Sequence, residues 1–197
     1  MALQGDAQDF KIAFIAGLLI ALLALPILEN LKILHLLFAS QALSKPLALI
    51  LWMILFPFAT ASGLYYIHRL SASRFPMLFQ LGKYGIVGIL NTVLSAGIFN
   101  LLISLSNTTQ GAFINLFAFV AFIASVTNSF LWNKFWTFGQ KEGTHIKKQY
   151  IRFFSVNSAV TILNLFFIHI GVNVIGAPAN FDTKIWANII FFLTIPI

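Results

Sequence analysis

The sequence contains no cysteine, which removes disulfides, thiolate metal sites and cysteine nucleophiles. It is almost as poor in acid, with five Asp and Glu against twelve Lys and Arg in 197 residues. The apolar stretches expected at about 84–105, 112–138 and 150–175 hold no carboxylate, so the group that usually carries protons or sodium in an active pump has no candidate there. The four histidines, His35, His68, His145 and His169, have no ligand-like spacing, and no metal is implied. A Gly-rich phosphate loop, an acidic pair for a metal-nucleotide and a Ser/His/Asp set are also missing, so neither a cofactor nor an enzymatic activity is expected.

What is present is apolar. With 59% hydrophobic residues and a mean hydropathy of +0.91, a chain this long cannot hide its apolar surface in a water-soluble core. It reads as an all-α polytopic membrane protein. The net charge of +7 sits in short connections between apolar runs, where it is a topogenic signal rather than the footprint of nucleic acid.

Along the chain, an acidic leader with Asp6 and Asp9 precedes a first run at Phe10–Leu28. That leader is the wrong charge for a cleaved signal peptide, so the run is read as a true helix. A connection with some amphipathic character (Ile33, Leu36 and Leu37 against Lys32 and His35) leads to a second helix at about Leu47–Tyr66. The basic turn from His68 to Pro76 sets a boundary, dividing an accessory N-terminal hairpin (1–80) from a main body (81–197). Helices follow at about Tyr84–Leu105, Ala112–Phe138 and Tyr150–Ile175, with a hydrophilic loop at Gly139–Gln149 and a turn at Gly176–Asp182. The last run, Lys184–Ile197, covers only roughly 20 Å of a hydrocarbon slab about 30 Å thick, and a chain cut short is expected.

Under this reading nine Lys and Arg fall on one side (Lys11, Arg69, Arg74, Lys83, Lys134, Lys141, Lys147, Lys148, Arg152) and three on the other (Lys32, Lys45, Lys184). The positive-inside rule puts the first side in the cytoplasm, with both termini there and the protein in the cytoplasmic membrane.

Three helices each carry one polar face. Asn91, Thr92 and Ser95 lie on the third, Ser125, Asn128 and Ser129 on the fourth, and Asn157, Thr161 and Asn164 on the fifth. One explanation is interhelical packing, in which Gly85, Gly88 and Ala96 allow close approach and amides bond across the interface. The other is a polar seam along which something hydrophilic crosses, and three asparagine-bearing stripes exceed what packing requires. His169, near a helix end, is expected to be a hydrogen-bonded structural residue.

The segment Gly82-Lys83-Tyr84-Gly85-Ile86-Val87-Gly88-Ile89-Leu90-Asn91-Thr92 resembles the opening helix of the GtrA-like family of small four-helix membrane proteins. Asn128-Ser129-Phe130-Leu131-Trp132-Asn133-Lys134-Phe135-Trp136-Thr137-Phe138 is similar to that family's signature of two asparagines, aromatic residues, a base and Trp-Thr-Phe. The resemblance implies two tandem helix hairpins, and a trace is visible in the way Arg152-Phe153-Phe154-Ser155-Val156 echoes Lys83-Tyr84-Gly85-Ile86-Val87. The N-terminal hairpin is additional to that pattern.

What the resemblance implies is facilitated movement of a polyprenyl-phosphate-linked monosaccharide across the membrane for glycosylation of cell-surface polysaccharide. Lys83, Lys134 and Arg152 would then meet the phosphate at the rim, and Asn91, Asn128, Asn133 and Asn164 the sugar hydroxyls. Trp132 and Trp136 form an aromatic rim that either anchors the helix at the lipid–water boundary or stacks on the sugar. The alternative is a non-transporting partner of a polyprenyl-phosphate glycosyltransferase. A homodimer would bury polar faces against a second copy, and contact with membrane lipids is expected throughout.

Overall fold

A computed structural model describes residues 7–34, 44–71, 75–139 and 145–194. Among them are six helices: α1 (Ala7–Asn30), α2 (Lys45–Ser71), α3 (Pro76–Ser106), α4 (Ala112–Trp132), α5 (Ile146–His169) and α6 (Thr183–Thr194). α4 continues through a π-helical turn at Asn133–Thr137 and α5 through another at Ile170–Ile175. Five of the six are long and apolar enough to cross a bilayer. The chain is an all-α, multi-pass membrane protein.

Four of the five spans are longer than their apolar runs suggested, because polar end residues still make helical backbone bonds, and the fourth, Ala112–Thr137, matches its run. α3 opens eight residues early at Pro76, whose missing N–H would be unpaired in a first turn anyway. It closes on Asn107 in the left-handed conformation (φ 51°), which stops the helix. Much of the first connection's amphipathic pattern (His35, Leu36, Leu37) and of the hydrophilic loop (Lys141, Glu142) lies outside the described residues, as does Arg74.

α1 buries a stripe of small side chains (Ala13, Ala16, Ala21, Ala24) with Ile20 and Ile27, and packs against α2 and α3. Two glycines mark the closest approaches. A Cβ on Gly17 would stand 2.7 Å from Pro57 Cα of α2, and one on Gly97 of α3 would stand 2.5 Å from the Leu23 carbonyl oxygen. The N-terminal hairpin is thereby seated on the main body through α1. Two apolar clusters fill the bundle. One, around Phe79, Val87, Leu90 and Trp136, lies at the end bearing Lys83 and Lys134, termed here the basic end. The other, around Phe99, Ile103, Ile114 and Phe117, lies toward the far end.

Within the far half, three buried amides link α1, α3 and α6. Asn100 Nδ2 donates to Asn188 Oδ1 (2.7 Å) while Asn188 Nδ2 donates back to Asn100 Oδ1 (2.8 Å). Asn30 Nδ2 donates to both the Asn100 carbonyl and its Oδ1 (2.9 Å each), and Ser104 Oγ donates to Asn30 Oδ1. Asn100 and Asn188 also donate to the Ala96 and Lys184 carbonyls one turn back, and this satisfaction of the amides is what allows them to sit at depth.

At the far surface, Asp182 caps α6 by accepting from the backbone N–H groups of Lys184 (2.9 Å) and Ile185 (3.2 Å), and it pairs with Lys32 at 2.6 Å. The Lys32 hydrogen bond, with the two backbone donors, holds its carboxyl below the ordinary value of 3.8 against an opposing desolvation effect. A depressed folded-state pKa stabilises above the unfolded value and is lost as pH falls through the folded one. Melting temperature in detergent should therefore fall on acidification below about pH 4, and Asp182→Asn, which keeps a cap but loses the charge, should show a shallower fall there. Identical acid profiles would show that the pair contributes nothing.

Candidate functional site

α3 and α5 flank α4, and between them lies a cleft of about 770 Å³. Its end at the basic side is framed by Tyr84, Asn133, Phe138 and Phe153. Its floor is made by Ala118, Ile168, Phe191 and Thr194, the last two from the end of α6. The described part of α6 is twelve residues long and enters the gap from the far side.

The walls carry the polar faces read from the sequence. Asn91, Thr92 and Ser95 come from α3, Ser125 and Ser129 from α4, and Asn157, Thr161 and Asn164 from α5. The helical i, i+4 and i+7 spacings bring each stripe to one side, as the 3.6-residue period requires. The walls are also related to one another. Tyr84 and Phe153, Gly88 and Asn157, Thr92 and Thr161, and Ser95 and Asn164 all line the cleft, each pair with the sequence separation that relates Lys83 to Arg152. Phe122 and Ser125 of α4 are matched in the same way by Phe191 and Thr194 of α6. Two copies of a helix hairpin thus face each other across the space, in the parallel sense, since α3 and α5 both leave the basic end.

Several lining groups keep hydrogen-bonding capacity. Asn133 Nδ2 donates weakly to Ser129 Oγ (3.3 Å), but its Oδ1 is buried with no partner among the described residues. The Asn164 amide and the Ser95 hydroxyl make no hydrogen bond among the described residues. Thr161 and Asn157, by contrast, bond the carbonyls one turn back in their own helix. Among the described residues, no Asp, Glu, Lys, Arg or His lines the cleft.

The nine residues singled out from the sequence fall in different surroundings. Asn91, Asn133 and Asn164 line the cleft. Asn128 stands behind it, donating to Asn91 Oδ1 (2.7 Å) while Ser125 Oγ donates to the Asn91 carbonyl (3.2 Å). It fixes a wall residue without facing the space itself. Lys83, Lys134 and Trp136 are buried and engaged elsewhere. Lys83 Nζ pairs with Asp9 Oδ1 of α1 at 2.6 Å and lies over the Phe79 ring, and Trp136 Nε1 donates to the same carboxylate oxygen (2.9 Å). Lys134 Nζ donates to Gln149 Oε1. Of the three proposed rim cations, only Arg152 is exposed, next to the lining residue Phe153. Trp132 is half-buried and packs edge-on against Trp136 (5.5 Å), so this pair is an interior contact rather than an exposed belt.

The glycines also divide differently from expectation. Gly85 and Gly88 were candidates for close helix packing, but a Cβ on either would meet nothing within 4 Å. Close approach is made instead at Gly17 and Gly97, and at Gly171, where a Cβ would stand 2.7 Å from the Ile190 side chain. His169 is held by amides: Asn173 exchanges bonds with the Gly111 backbone and turns its Nδ2 to His169 Nδ1 (3.2 Å), where Asn115 Nδ2 also donates (3.0 Å). The Asn100, Asn188 and Asn30 network had no counterpart in the sequence reading.

The GtrA/DPMS transmembrane-domain family matches residues 83–195. The chain belongs to that family. The matched span opens at Lys83 and ends in the last turn of α6 or just beyond, so both walls and the floor of the cleft belong to the GtrA/DPMS domain. α1 and α2 precede it. No curated protein and no solved structure matches the chain. Family membership points to a membrane function related to polyprenyl-phosphate sugars.

Proposed function

We propose that this GtrA/DPMS protein moves a polyprenyl-phosphate-linked monosaccharide across the cytoplasmic membrane, downhill and without ion or nucleotide coupling, to supply glycosylation of cell-surface polysaccharide. The observation that carries the reading is the cleft: a space in the size range of small-molecule sites, whose walls carry amides and hydroxyls among apolar side chains and, among the described residues, no carboxylate. Unspent polar groups at membrane depth are costly unless something satisfies them, and a hydroxyl-rich neutral head group has the matching donors and acceptors. Arg152, exposed beside the mouth, is the best-placed cation for the phosphate. The basic end is the cytoplasmic face in this proposal. The protein acts by transport, and no reaction is assigned to the cleft.

The test is transbilayer movement of a polyprenyl-phosphate glucose in liposomes holding the purified full chain. Asn164→Leu should slow movement about tenfold, the equivalent of roughly 1.4 kcal/mol at one polar contact, with no loss of melting temperature because no protein bond is broken. Arg152→Gln should slow it as well. An absence of movement above protein-free vesicles, from folded protein, would sink the transport reading and leave a membrane partner of a polyprenyl-phosphate glycosyltransferase as the alternative.

A further inference from the structure

A glycine inside a helix loses more conformational freedom on folding than alanine does, so an interior glycine needs a reason. In α1, α3 and the π-helical turn of α5 the reason is visible at Gly17, Gly97 and Gly171, where a neighbouring element occupies the place of the side chain. Gly85 and Gly88 have no such neighbour. Both are exposed on the α3 wall of the cleft, one turn apart, with open space where a Cβ would be. The repeat relation sharpens the contrast, because the counterpart of Gly88 on the α5 wall is Asn157, a full-sized polar side chain. Past Tyr84 at the mouth, the α3 wall presents bare backbone at Gly85 and Gly88, while the α5 wall carries Phe153 and Asn157. Near the same end sits Asn133 Oδ1, buried and without a partner among the described residues.

We infer that Gly85 and Gly88 set the width of the cleft mouth, leaving a slot in which the sugar ring of the head group lies between the bare strip of the α3 wall and the aromatic and amide groups of α5. A ring with one apolar face and a hydroxyl-bearing edge suits the flat strip at Gly85 and Gly88, with Tyr84 and Phe153 at the mouth and Asn133 and Asn157 to meet its edge. The two glycines are specificity-determining residues for the head group, and the inference rests on the transport reading above.

The open space makes the test clean, since filling it breaks no contact. Gly88→Ala, Gly88→Leu and Gly88→Trp form a size series in the full chain, and Gly63→Leu is the matched control. Gly63 lies on the exposed face of α2, away from the cleft, and a Cβ there also meets nothing within 4 Å. Liposome movement is measured for a polyprenyl-phosphate glucose and for the polyprenyl phosphate without sugar. The expected result is graded slowing of the glucose-bearing lipid, about tenfold or more for Gly88→Leu, with about threefold or less for the sugarless phosphate and no effect of Gly63→Leu. Melting temperatures should match wild type throughout. Wild-type movement that Gly88→Leu leaves intact, or slows equally for both lipids, would overturn the slot while the transport reading stands. Should wild type move neither lipid, the transport reading falls and the slot is decided by binding: glucose-dependent thermal stabilisation that Gly88→Leu removes supports it, and its absence in wild type overturns it.

Discussion

Replacing Lys83 by methionine is expected to destabilise the protein by about 3 kcal/mol, seen as a large drop in thermal unfolding temperature in detergent. The side chains of Lys83 and Asp9 are 9% and 14% exposed, and the ammonium is the main counter-charge of that carboxylate. Removing it leaves Asp9 with the Trp136 indole as its donor among the described residues, in a pocket of Phe79 and Trp136. Breaking a buried pair from one side costs more than the pair itself contributes, because the abandoned charge stays desolvated. The double variant Asp9→Asn/Lys83→Met should therefore recover most of the loss, since a neutral amide still accepts from Trp136. Were Lys83 a phosphate ligand instead, the single variant would keep its melting temperature and lose movement of the lipid-linked sugar.

Asn100→Leu should cost about 2 kcal/mol in the same assay. Interhelical side-chain hydrogen bonds in membranes contribute only about 0.6 kcal/mol each on average, because the unfolded chain in the bilayer also finds partners. That figure describes both partners lost together, whereas this substitution leaves Asn188 Oδ1 buried with no donor, and an orphaned buried group costs about 1–3 kcal/mol. The orphan term wins. Asn188→Leu in the Asn100→Leu background should then cost little more, and strict additivity of the two losses would show that the amide pair is not a unit.

The helices, their order and the cleft walls were legible from local patterns. Apolar runs mark spans, and Asn157, Thr161 and Asn164 must share a face once α5 is a helix. The misplacements come from contacts between distant parts of the chain. Lys83 and Trp136 look like a rim cation and a rim aromatic in any local window, and only the packing of α1 brings Asp9 to both. Gly85 and Gly97 are alike in sequence and opposite in surroundings for the same reason. Asn100 went unread because α3 was given a single polar face. It lies nine residues after Asn91, which at 3.6 residues per turn is two and a half turns, so it points to the opposite side, toward Asn30 and Asn188.

The floor of the cleft at Phe191 and Thr194 has an electrical consequence. Where water enters the cleft along its amides and hydroxyls, the water boundary moves inward from the membrane surface toward that floor. The insulating layer remaining beneath it is then thinner than the roughly 30 Å of a full hydrocarbon core. A transmembrane voltage falls across the thinner layer, and the field there is steeper in proportion. A charge resting on the floor stands well into the membrane by distance and hardly at all by voltage.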